Sequence, residues 1–146
     1  MVRAAGGAKT VVMGLLIAER RARLRVLVVD DSAEFRSAVR AYLHGATDAQ
    51  VVGEAADGDE ATHEVERLRP SLVLMDMHMP ICNGIEATRR MRTLEPRPHI
   101  VLFSLHAEPE LQHAALAAGA DEFYSKRDFV PLVEATLTKL SSAAQR

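Results

Sequence analysis

The sequence predicts an α/β fold on a parallel sheet covered on both faces, and three observations carry that prediction. Short β-rich apolar runs recur five times from Leu24 onward, amphipathic segments at helical spacing separate them, and capping signals mark several of the boundaries. At 146 residues, 48% apolar and 26% charged, the chain suits one domain with a proper core.

The strand candidates are RVLVV (25–29), VVGEA (51–55), LVLM (72–75), IVLFS (100–104) and EFYS (122–125). The second is the most polar and suits a sheet edge. After DDS, the residues Phe35, Ala38, Val39, Tyr42 and Leu43 share one helical face, with Gly45 as the expected stop. Asp57 and Glu60 have capping-box spacing ahead of a stripe of Ala61, Val65 and Leu68, which Pro70 ends; Asn83 and Glu86 repeat the relation. Pro109 opens a fourth helix and Gly119 closes it. Phe129, Val133, Leu137 and Leu140 stripe the fifth, with Pro131 early enough to be tolerated.

Composition narrows the functional classes. A formal charge of −2 without a central basic stripe gives no footprint for nucleic acid. The single Cys82 cannot form an internal disulfide or begin a zinc site of the usual spacing, which fits a reducing, cytoplasmic setting. The six histidines show no metal-binding spacing. The apolar stretch VVMGLLIA is far too short to span a membrane and lacks a signal cleavage site. Residues 1–23 are expected to form a basic, poorly ordered tail, 24–141 the domain, and 142–146 a short end; Met13 is a possible second start.

In open parallel sheets, sites lie at the carboxyl ends of strands. Reading those ends gives Asp30 and Asp31 after the first strand, Asp76 after the third, Ser104 closing the fourth and Lys126 just beyond the fifth. Each residue alone has a plain explanation: a helix cap for Asp30-Asp31, a turn acid, a strand-end hydroxyl, a solvated lysine. Together they point to a hard divalent cation such as Mg²⁺, because three adjacent carboxylates repel one another unless a cation lies between them.

The segments VLVVDDS, LVLMDMHMP, NGIEATRRMR, IVLFSLHA and AGADEFYSK resemble the receiver domain of two-component response regulators, from about Arg25 to Leu140, and most closely receivers of the NarL/LuxR type. The resemblance implies a flavodoxin-like, doubly wound five-stranded sheet in the order 2-1-3-4-5. It implies that Asp76 accepts a phosphoryl group from a sensor histidine kinase or phosphotransfer protein. Asp31 would bind Mg²⁺ directly and Asp30 through water, joined by Asp76 and the backbone carbonyl of His78. Lys126 would hold a phosphate oxygen, Ser104 would donate its hydroxyl, and Phe123 would be the switch aromatic. Output would pass from the face of the fourth helix, fifth strand and fifth helix to a protein partner or a second copy.

Leu105 is bulkier than the residue many receivers carry there and is expected to slow small-molecule donors. His78 and His106 either modulate dephosphorylation or are solvent-facing without a role. Cys82 reads as a loop residue, reactive if exposed. The methionines of MDMHM could serve Cu(I), but alternation places Met75 and Met77 in the core. The reading is a single-domain switch without a DNA-binding half, not an enzyme with an external product. Rivals are a receiver fragment of a transcription regulator, a phosphate sink or relay, a phosphorylation-independent scaffold, and a Mg²⁺-dependent phosphohydrolase, which would need an acid where Ser32 stands.

Overall fold

Five parallel strands pair in the order β2-β1-β3-β4-β5: β1 (Arg25–Val29), β2 (Gln50–Ala55), β3 (Leu72–Asp76), β4 (His99–Ser104) and β5 (Glu122–Ser125). The structure, a computed structural model, describes residues 9–13, 24–46, 48–106 and 108–144. Of the tail expected at 1–23, only 9–13 fall within it, as an exposed helical segment; the remainder, and 145–146, lie outside the described residues. The crossovers are α1 (Ala33–Ala46), α2 (Gly58–Leu68), α3 (Gly84–Met91) and α4 (Pro109–Ala118), and α5 (Phe129–Ala144) follows β5.

The strands are apolar almost throughout because helices cover both faces. On one face Leu27, Val29, Val73, Met75, Ile100 and Leu102 pack with Ala61 and Val65 of α2, Ala87 and Met91 of α3, and Ala115 of α4. On the other, Val26, Val28, Leu72, Leu74, Val101 and Phe103 pack with Val39 and Leu43 of α1 and Val133 and Leu137 of α5. Each fully buried Leu or Val contributes roughly 1.5–3 kcal/mol from removal of apolar surface from water. The alternation of strand residues between the two clusters fixes the register.

Local signals explain most element ends. Asp57 Oδ1 accepts from the Glu60 amide at 2.9 Å, as a helix cap should, but the returning Glu60 carboxylate takes the Ala56 amide rather than that of Asp57. Asn83 Oδ1 caps α3 through the Glu86 amide, while Glu86 itself turns to Arg89 and Arg90. Gly119 ends α4 with φ of 112°, a conformation only glycine adopts without strain. Gly45 does not stop α1, which continues to Ala46; a Cβ at Gly45 would meet nothing within 4 Å.

Candidate functional site

Register brings the acids together. Val29 of β1 pairs with Met75 of β3, so the next residues, Asp30 and Asp76, leave adjacent strands side by side. Asp31 completes a set in which one carboxylate oxygen from each residue lies within 4.8 Å of the others. Asp30 is wholly buried, Asp76 is 6% exposed and Asp31 is exposed.

Lys126 crosses from the end of β5 to this set. Its Nζ is 2.7 Å from Asp30 Oδ2 and 3.5 Å from Asp76 Oδ2, and it sits 4.4 Å from the centre of the Phe35 ring. The ring face and two carboxylates stabilise a lysine that is only 15% exposed. One ammonium facing three carboxylates leaves the cluster short of positive charge. An all-oxygen donor set with that deficit fits a hard divalent cation such as Mg²⁺.

Asp76 feels opposing influences. Burial pushes its carboxyl above the ordinary value, Lys126 pulls it down, Asp30 raises it, the His78 amide at 3.3 Å from Oδ1 lowers it, and Asp31 raises it. The balance is upward.

A cleft of about 480 Å³ is lined by Asp30, Asp31, Ser32, Asp76, His78, Leu105, His106 and Lys126. Leu105 is 62% exposed at its rim, and both histidines are exposed. Ser104 does not line the cleft: it is wholly buried, and its hydroxyl oxygen accepts from the His106 amide at 3.1 Å. Phe123 is half-buried against the cluster that α2, α3 and α4 cover, in register with Leu102.

Two readings of single residues change, and a third holds. The cap of α1 is Ser32, whose hydroxyl accepts from the Phe35 amide at 3.2 Å, so neither Asp30 nor Asp31 is needed as a cap. Cys82 is not an exposed loop thiol: it is 5% exposed, burial pushes its thiol up, and its carbonyl accepts from the Gly58 amide at 2.8 Å. Met75 and Met77 are buried in the core, as the alternation along the segment predicts.

Three positions carried no sequence signal for their roles. A Cβ on Gly84 would stand 2.5 Å from the Asp76 carbonyl oxygen, so only glycine lets α3 start against the end of β3. Ile81 takes φ of 68° with the Cys82 amide 2.7 Å from the Pro80 carbonyl, a tight turn unusual for a β-branched residue. Arg36 donates to the Asp30 carbonyl at 2.6 Å.

The fold and rim define a class: a doubly wound α/β domain with a carboxylate triad and a lysine at the carboxyl end of its sheet. Residues 26–136 match the response regulator receiver domain, and the chain belongs to that family. It is 39% identical over 105 residues to a protein-glutamate methylesterase/protein-glutamine glutaminase from Idiomarina loihiensis, covering 71% of this chain but only 27% of that relative. It is 38% identical over 102 residues to protein CcdB from Bacillus subtilis, covering 70% of this chain and 84% of that protein. Among solved structures, the signal receiver domain of the response regulator NarL from Mycobacterium tuberculosis superposes with a TM-score of 0.76 at 30% identity, covering 82% of this chain and 97% of that one. Mg²⁺-dependent phosphorylation is a general feature of the family. No helix among the described residues is long and apolar enough to cross a membrane.

Proposed function

We propose that the domain is a phosphorylation-dependent switch in which Asp76 accepts a phosphoryl group from a histidine of a sensor kinase or phosphotransfer protein. The observation that carries this reading is the meeting of Asp30, Asp31 and Asp76 within 4.8 Å, with Lys126 3.5 Å from Asp76. Asp76 is the acceptor because it lies in the cleft and feels Lys126 without being that lysine's nearest partner. Asp30 is committed through Oδ2 to Lys126 and through Oδ1 to the Ser32 amide.

One Asp76 oxygen attacks phosphorus, the bond to the donor imidazole nitrogen breaks with its electron pair returning to that nitrogen, and an acyl phosphate results. Lys126 offsets charge on the phosphoryl oxygens as a compact ammonium. Asp30, Asp31, Asp76 and the His78 carbonyl would hold Mg²⁺, which when bound neutralises further charge on the same oxygens.

Ser104 then turns its hydroxyl from the His106 amide toward the phosphoryl group, and Phe123 shifts inward, biasing the face of α4, β5 and α5 toward a protein partner or a second copy. His78 and His106 border the path of the water that hydrolyses the acyl phosphate, and Leu105 narrows access for small donors. The test is labelling with a phosphodonor and Mg²⁺, followed by mass: wild type gains one phosphoryl group and Asp76→Ala gains none.

A second reading is supported by the methylesterase relative, of which the chain matches 27%: the domain acts as the regulatory portion of a larger output protein. Relay of phosphate from labelled domain to a second histidine protein, without any change in partner binding, favours a sink or relay instead.

A further inference from the structure

The structure assigns Arg36 as a positioning residue for the cation site, an inference that rests on reading the three carboxylates as that site. Asp30 is wholly buried and each of its polar groups is engaged. Its amide donates to the Ala55 carbonyl at 3.0 Å, Oδ1 accepts from the Ser32 amide at 2.8 Å, and Oδ2 accepts from Lys126 at 2.7 Å. The remaining group, the carbonyl at the strand exit, accepts from Arg36 Nη1 at 2.6 Å.

That carbonyl belongs to the planar peptide joining Asp30 to Asp31, so holding its oxygen fixes the rotation of the whole plane and the direction in which Asp31 leaves it. Among the described residues no donor holds the Asp31 carboxylate itself, so its placement depends on this peptide. Arg36 is in turn fixed by Nε donating to Glu54 Oε1 at 3.2 Å, from β2, and its side chain is 18% exposed. A guanidinium holds the carbonyl and the carboxylate from two separate nitrogens of one rigid fork, whereas a lysine would have to reach both from a single nitrogen on a flexible stem.

Arg40 supplies the control. It pairs with the other oxygen of Glu54 from a half-exposed position and makes no hydrogen bond or ion pair with Asp30, yet carries the same charge on the same helix. Removing a cation near an acid cluster should by itself strengthen cation binding, so a loss of affinity on removing Arg36 has the opposite sign to a charge effect.

The experiment is a titration of the full chain with Mn²⁺, reading free ion by electron paramagnetic resonance, for wild type, Arg36→Ala, Arg36→Lys and Arg40→Ala, with thermal melts alongside. Arg36→Ala should weaken Mn²⁺ binding about tenfold, as loss of a group that orients metal ligands does, while Arg40→Ala stays near wild type or binds slightly tighter. Arg36→Lys should lose about threefold, the scale of one hydrogen bond, and carries the test if Arg36→Ala does not fold. Affinity within twofold of wild type in a folded Arg36 variant, with only its melting point lowered, overturns the inference, as does an equal loss in Arg40→Ala. Failure of wild type to bind Mn²⁺ at all is a different result: it removes the cation site itself, and this inference with it.

Discussion

Lys126 and Asp30, separated by 96 residues in sequence, meet at 2.7 Å in the interior of the rim, where Asp30 has no exposed surface and Lys126 very little. The pair is therefore structural as well as chemical, since the lysine that faces Asp76 also compensates a fully buried carboxylate.

Lys126→Ala should abolish phosphoryl transfer and also destabilise the fold by about 3 kcal/mol, because the Asp30 charge is left buried without its partner. Chemical denaturation of the variant with and without Mg²⁺ checks this. The metal should restore part of the stability but none of the labelling. Unchanged stability would show that Asp30 does not depend on the lysine.

Asp76→Asn should stabilise the protein at neutral pH in the absence of divalent ions. The folded state holds the Asp76 carboxyl above its ordinary value of 3.8, chiefly through burial, so the native state favours the protonated form. Wild type keeps that favourable contribution below the unfolded value and loses it as pH rises through the raised one. The neutral amide avoids the loss. The expected gain is about 1 kcal/mol, or ~3 °C in melting temperature for a chain of this size, shrinking as pH falls toward the ordinary carboxylate range. A lower melting point for Asp76→Asn at neutral pH would mean that attraction to Lys126 outweighs burial.

Two glycines should respond in opposite directions. Gly84→Ala places a methyl 2.5 Å from the Asp76 carbonyl oxygen and 3.0 Å from Met77 Cα, both backbone atoms, and should cost about 2 kcal/mol while impairing phosphorylation. Gly45→Ala meets open space inside α1 and should gain about 0.5–1 kcal/mol with phosphorylation unchanged. Thermal melts and labelling of both variants check the contrast.

The alternation of apolar runs with helical stripes was enough to place all five strands within a residue of their bounds, because a strand covered on both faces must be apolar along its length. The strand-end residues were readable for the same reason: the carboxyl ends of a parallel sheet share one rim. What escaped was set by contacts distant in sequence. Cys82 is buried because the β3–α3 loop packs on the start of α2, where its carbonyl meets the Gly58 amide and its sulfur lies against the space beside Gly58. Arg36 reads as a solvent-facing helix residue until Glu54 and the Asp30 carbonyl are placed beside it. Ser32 took the cap from its acidic neighbours because its hydroxyl, not their carboxylates, lies at the right step before the Phe35 amide.

The central claim is that Asp76 is the phosphoryl acceptor. Intact-mass and peptide-level mass spectrometry after incubation with Mg²⁺ and a panel of phosphorylated histidine kinases tests it most directly. The expected result is one base-labile, hydroxylamine-sensitive phosphoryl group on the peptide containing Asp76, absent in Asp76→Ala. Undiminished labelling of Asp76→Ala, or no labelling of wild type under conditions that label a control receiver, would contradict it.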